Sequence, residues 1–157
     1  MAALSLAGWI ALSLAAGAAG AIASADAREF YAALERPAWA PPGWLFGPVW
    51  TLLYLLMAIA AWLVWRAPPT PFRRPGLVLF AMQLVLNALW TWIFFYWRSG
   101  AWAFAEIAVL WAAIAALIVC FRKVRPLAAW LLAPYLAWVA FAAALTWSVW
   151  QRNPGVL

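Results

Sequence analysis

The chain has 157 residues, 71% of them hydrophobic and only 9% charged, with a mean hydropathy of +0.94. A soluble domain needs about a quarter of its residues charged to cover its surface, so the composition defines a membrane protein, and the formal charge of +6 belongs to loops that set topology and not to nucleic-acid binding. There is no histidine and one cysteine, Cys120, inside an apolar run, which leaves zinc, histidine-ligated haem, a histidine-based triad and an internal disulfide without support.

Five stretches reach the roughly 20 residues a helix needs to cross a hydrocarbon core. They run from Leu4 to Ser24, Trp44 to Trp65, Gly76 to Trp97, Ala101 to Phe121 and Pro126 to Trp150. The expected architecture is an all-α membrane protein, one five-helix bundle over residues 1–157, with a first loop over residues 25–43. The first span is rich in Ala, Gly and Ser, and the pairs Ala16/Gly20 and Gly17/Ala21 suit close helix approach. Its last small residues before Asp26 have the look of a signal-peptide cleavage site, but the segment lacks a basic start and its apolar run exceeds the usual ~7–15 residues. It is therefore read as a span.

Phe30 to Trp50 is a connector of another character, carrying Trp39, Trp44 and Trp50 with Pro37, Pro41, Pro42 and Pro48. Prolines fix φ and remove donors, so the segment is expected to be stiff and shaped without being helical, a lid over a flat apolar ligand. The second span puts Trp50, Tyr54, Met57 and Ala61 on one face. A basic, proline-rich spacer follows, with Arg66, Arg73 and Arg74. In the third span Gln83, Asn87 and Trp90 form a stripe that Phe94 and Trp97 continue. Amides in lipid need partners, so Gln83 and Asn87 should face the bundle, either as glue between helices or as ligand contacts.

The fourth span contains Glu106, about one and a half turns from its start. That depth lets it meet water or Arg98 near the headgroups, and the alternative makes it the gate of a small proton-coupled exporter. The fifth span sets Trp130, Pro134, Trp138 and Ala142 on one face, with a slot where the small residue follows the large one. Most of the remaining tryptophans suit the membrane interface. Six Lys or Arg fall on the side of the N-terminus and four on the other, so the positive-inside rule puts the N-terminus in the cytoplasm and the lid outside.

Three segments together carry a resemblance: Trp39 to Met57, read as WxPPGWxFGPVWTxLYxLM; the Gln83, Asn87 and Trp90 pattern; and PYLxWxxFA, which ends at Ala142. The chain resembles, over essentially its whole length, the tryptophan-rich sensory protein and translocator protein family. The resemblance implies a homodimer of five-helix bundles whose pocket, capped by the first loop, binds porphyrins such as protoporphyrin IX and, in some members, sterols or benzodiazepine-type compounds. By position the family's pocket residues match Tyr31, Trp39, Trp50, Tyr54, Asn87, Trp90, Trp138 and Ala142. Gln83 joins them from the polar stripe. Some bacterial members degrade protoporphyrin IX in light, and the tryptophans implicated match Trp50 and Trp138. The sterol pattern of animal members is incomplete here, since Leu145 and Arg152 flank Trp147 and Trp150 with no Tyr between. No cofactor is implied beyond the porphyrin as ligand. Without histidine it would be held by its macrocycle, with Arg28 or Arg36 meeting its propionates.

Overall fold

The computed structural model describes residues 2–157. Its helices are α1 (Ala2–Ala23), α2 (Ala27–Ala33), α3 (Phe46–Trp65), α4 (Arg73–Thr91), α5 (Gly100–Val124) and α6 (Pro126–Arg152). A 3₁₀ turn over Gly43–Leu45 leads into α3, and a π-helical turn over Trp92–Tyr96 extends α4. The described residues contain no strand, and all the helices except α2 are long and apolar enough to cross a membrane.

Prolines set most of the boundaries. Pro48 and Pro75 stand in the first turns of α3 and α4, and Pro126 opens α6; the N–H groups of a first turn have no intrahelical partner, so nothing is lost there. This is why α4 begins at Arg73, three residues before the sequence expectation. Pro68 and Pro69 keep α3 from continuing beyond Trp65. Pro134 lies inside α6, which nevertheless runs unbroken to Arg152.

The bundle closes as a ring. α1 packs on α3 and α4, α3 on α6, α6 on α5, and α5 on α4. Lipid supplies no hydrophobic drive between helices, so close contact comes from small residues and dispersion. Ala58, Ala60 and Ala61 of α3 are fully buried, as are Phe80, Ile114, Leu117, Phe121, Leu132 and Tyr135 around them. Gly76 of α4 admits the Phe121 ring, and Gly17 of α1 admits Tyr54. At the other end Gly100 admits Trp150: a Cβ on Gly100 would lie 2.4 Å from Cδ1 and 2.8 Å from Cβ of that tryptophan. A contact so near the tryptophan backbone is not relieved by a side-chain swing. Gly100→Ala is therefore expected to destabilise the bundle by about 1–3 kcal/mol. Gly8→Ala, where a Cβ meets nothing within 4 Å, should leave it unchanged, and thermal unfolding in detergent compares the two.

Four expectations are corrected by the fold. The lid is partly helical, because Ala27–Ala33 precedes the prolines and holds good helix formers. Trp97 leaves the Gln83 stripe and is exposed, since the π turn, closed by Trp97 N–H on the Trp92 carbonyl at 2.9 Å, shifts the register. Trp130 does not share the face of Trp138 and Ala142; it is 75% exposed. Four-residue steps drift about 40° each around a helix, so three of them carry Trp130 some 120° from Ala142. Finally, Glu106 does not meet Arg98. Both its carboxylate oxygens are buried without a hydrogen-bond partner, while the Arg98 guanidinium lies over the Phe30 ring, 4.7 Å from its centroid.

Candidate functional site: a lidded aromatic pocket

A cavity of about 320 Å³ lies between α1, α3, α4 and α6, beneath the lid. That volume sits near the lower bound of typical small-molecule pockets, about 300 Å³. Each wall follows from its helix. α1 contributes Gly17, Gly20 and Ala21, whose lack of bulk makes room. α3 brings Phe46, Trp50 and Tyr54; α4 and its π turn bring Asn87, Trp90, Thr91, Phe94 and Phe95; α6 brings Trp138, Ala142, Leu145 and Thr146. No residue of α5 lines it, so Glu106 stands outside the pocket wall.

The aromatic groups brace one another. Trp90 stacks on Phe94 with centroids 5.2 Å apart and planes 10° from parallel. Trp50 is 5.7 Å from Tyr54 and 6.2 Å from Tyr135, and Trp138 is 6.0 Å from Phe46. The floor is polar and closed: Tyr54 donates to Asn87 Oδ1 at 2.5 Å, Asn87 Nδ2 donates to the Tyr135 hydroxyl at 3.0 Å, and Tyr135 donates to Gln83 Oε1 at 2.8 Å. The hydroxyls of Ser24, Thr91 and Thr146 are turned back onto carbonyls of their own helices. Among the described residues that line the cavity, the indole N–H groups of Trp90 and Trp138 are buried without an acceptor.

The lid is seated on aromatic edges. Phe30 meets Phe94 and Phe95 at 6.2 and 6.3 Å, and Tyr31 meets Phe46 at 5.4 Å. Tyr31 donates its hydroxyl to the Pro41 carbonyl at 3.1 Å. Burial pushes this phenol above its ordinary range and the Arg36 guanidinium offsets part of that, so it stays a neutral donor at physiological pH. Arg36 lies over the Tyr31 ring at 4.8 Å, whereas Arg28 lines the cavity and is the one charged residue that does.

The structure brings together Tyr31, Trp50, Tyr54, Asn87, Trp90, Trp138 and Ala142 around one cavity. It places two others elsewhere. Trp39 is 51% exposed and packs edge-on against Phe141 at 5.7 Å, away from the cavity. Gln83 is fully buried one layer below, bonded to Tyr135.

Asn153 escapes a reading of the sequence. Its side-chain amide accepts from Glu35 N–H at 2.9 Å and donates to the Glu35 carbonyl at 3.0 Å and to Val149 O at 2.7 Å. It thereby latches the lid to the end of α6. A polar residue between Arg152 and Pro154 at a helix C-terminus was the available signal. Asn153→Ala is expected to speed hydrogen exchange at the Glu35 amide about tenfold, the equivalent of roughly 1–1.5 kcal/mol of lost hydrogen bonding. Unchanged exchange there would leave the lid held by its aromatic edges alone.

A closed ring of helices long and apolar enough to span a bilayer, around a lidded, indole-lined cavity, defines an integral, multi-pass membrane protein. The TspO/MBR family model matches residues 9–151, and the chain belongs to that family. It is 42% identical over 130 residues to the translocator protein of Homo sapiens, covering 81% of this chain and 76% of that one. It is similar also to the tryptophan-rich protein TspO of Chlorobaculum tepidum, 40% identical over 156 residues, or 96% and 97% of the two chains. The protein CrtK of Rhodobacter capsulatus is 41% identical over 141 residues, 89% of this chain and 87% of that one.

Proposed function

We propose that this protein binds a tetrapyrrole, represented by protoporphyrin IX, in the lidded pocket, and acts in porphyrin transport, sensing or light-dependent degradation. The observation that carries the reading is the enclosure of one cavity by Trp50, Trp90 and Trp138 from three helices, with a single charge, Arg28, among its lining residues. A porphyrin is a flat aromatic disc with an acidic edge. Indole faces stack on the disc, each such pair worth about 0.5–1.5 kcal/mol beyond the area buried, and a guanidinium pairs with a propionate. The unpaired indole N–H groups of Trp90 and Trp138 offer donors to acceptors on the ligand. The same reading takes the protein as a homodimer with its N-terminus in the cytoplasm, the latter from the loop charges.

The test is a titration of the purified protein with protoporphyrin IX, followed by tryptophan fluorescence. Saturable quenching is expected, and Arg28→Gln should weaken the free acid more than its dimethyl ester. Quenching that does not saturate would overturn the reading.

One observation favours a second reading. Glu106 is a carboxylate inside a span, buried and without a partner, the usual mark of a proton-coupled site in a membrane protein. Under the binding reading Glu106→Gln leaves porphyrin affinity within about threefold, less than 1 kcal/mol, because α5 does not line the pocket. Proton-linked substrate flux in vesicles that this substitution abolishes would instead establish the exporter.

A further inference from the structure

On the outer face of the bundle, α5 and α6 leave a groove of about 640 Å³ between them. It shares no lining residue with the pocket beneath the lid. Ala133 and Ala137 of α6 lie among its lining, together with Ile118, Trp111 and Trp130, and Arg122 lines it near the end where α5 turns into α6. From Arg122 to Trp111 is eleven residues of helix, about 17 Å, close to half of a ~30 Å hydrocarbon core. The groove therefore spans one leaflet, from the headgroup level to the midplane.

The charges at that end are of one sign. The two connections there and the helix turns that flank them carry Arg66, Arg73, Arg74, Arg122, Lys123 and Arg125, and no Asp or Glu. Arg66 lies over the Trp62 ring at 5.0 Å, and Arg73 donates to the Trp65 carbonyl. Arg122 is exposed. A small-residue groove in a membrane often receives another helix, but a second copy inserted in the same orientation would bring its own three cations against Arg122, Lys123 and Arg125. An anionic lipid meets the same place with the opposite charge, and basic residues at a membrane surface attract such lipids at about a fivefold gain per charge.

We propose that this groove holds one acyl chain of an anionic phospholipid, with the lipid phosphate on the Arg122 guanidinium. The inference is independent of the porphyrin reading, since neither Arg122 nor the groove takes part in the pocket.

The experiment uses the full chain in phosphatidylcholine vesicles containing a minor fraction of either phosphatidylglycerol or phosphatidylcholine with brominated acyl chains, which quench nearby indoles. Brominated phosphatidylglycerol should quench more than its choline counterpart. Replacing Trp111 and Trp130 together by Phe should remove most of that excess, since both indoles line the groove, and Arg122→Gln should lower the preference about fivefold. Ala133→Leu, which fills the groove, should lower it also, while Arg74→Gln leaves it in place. Equal quenching by the two lipids, or an equal loss with Arg74→Gln, would overturn the site in favour of diffuse surface charge. Relief by inorganic phosphate beyond that given by chloride of equal ionic strength would make it a phosphate site. Loss of quenching by both lipids as protein density rises would assign the groove to a second copy. Protoporphyrin titration of Arg122→Gln should match the parent, so failure of one proposal does not carry the other with it.

Discussion

Asn87→Ala is expected to destabilise the protein by about 2–3 kcal/mol and to loosen the floor of the pocket. The side chain is the middle link of a chain that crosses three helices, accepting a hydrogen bond from the Tyr54 hydroxyl of α3 and donating one to the Tyr135 hydroxyl of α6. All of these groups are buried: Asn87 is 3% exposed and Tyr135 not at all. A partner removed inside a bundle leaves its neighbour unsatisfied, at about 1–3 kcal/mol for each stranded group. Transmembrane hydrogen bonds measured singly are weaker, nearer 0.6–2 kcal/mol. The larger value applies to Asn87 because its loss strands the Tyr54 donor and also opens space beside the cavity. Tyr135→Phe tests the same chain from the other side, since it strands Gln83 Oε1 and Asn87 Nδ2 while leaving the packing nearly unchanged. Thermal unfolding in detergent should rank Asn87→Ala as the more damaging, with Tyr135→Phe next. If both variants melt with the parent, the chain is incidental to stability, and the bundle is held by the fit of its alanines and glycines.

The spans were legible because run length is a property of single helices, as is the face that places Tyr54, Met57 and Ala61 inward. The burial of Gln83 and Asn87 was legible for the same reason, an amide in lipid having to turn inward. What periodicity does not carry is the partner. Tyr135 completes the amide chain from 48 and 52 residues away, and Asn153 reaches Glu35 across 118. Such pairs depend on how the ring closes. Trp39 and Trp130 mislead for a different reason: an aromatic residue beside an interface is equally at home on the outer surface, and composition alone does not separate the two. Seven of the eight residues named by the family resemblance line the cavity, and the helical stripe reached Phe94, yet the π turn that brings Phe95 to the cavity while rotating Trp97 out of it has no signature in residue spacing.

Trp50→Phe and Trp138→Phe should each abolish most of any light-dependent loss of protoporphyrin absorbance while binding the ligand almost as well as the parent. Both indoles line the cavity, on α3 and α6, and would face a disc bound there. On the proposed reading, an excited porphyrin would take one electron from an adjacent indole, leaving an indole radical cation, and dioxygen, as the oxidant, would react with the reduced or excited macrocycle. Enclosure by the lid keeps that chemistry local, and it asks for no acid, base or metal, which suits a chain without histidine. Phenylalanine keeps an aromatic face, so the loss of affinity is held to about 1 kcal/mol, or some fivefold, but the benzene ring is far harder to oxidise. The two positions differ in their surroundings. Trp50 lies beside the rings of Tyr54 and Tyr135, with centroids 5.7 and 6.2 Å away, whereas the rings beside Trp138 are Phe46 and Phe141. The measurement is the Soret absorbance against illumination time, with affinity determined in the dark. If both variants bleach the porphyrin as fast as the parent, the indoles serve as stacking groups only; the degradation role then falls and the binding role stands.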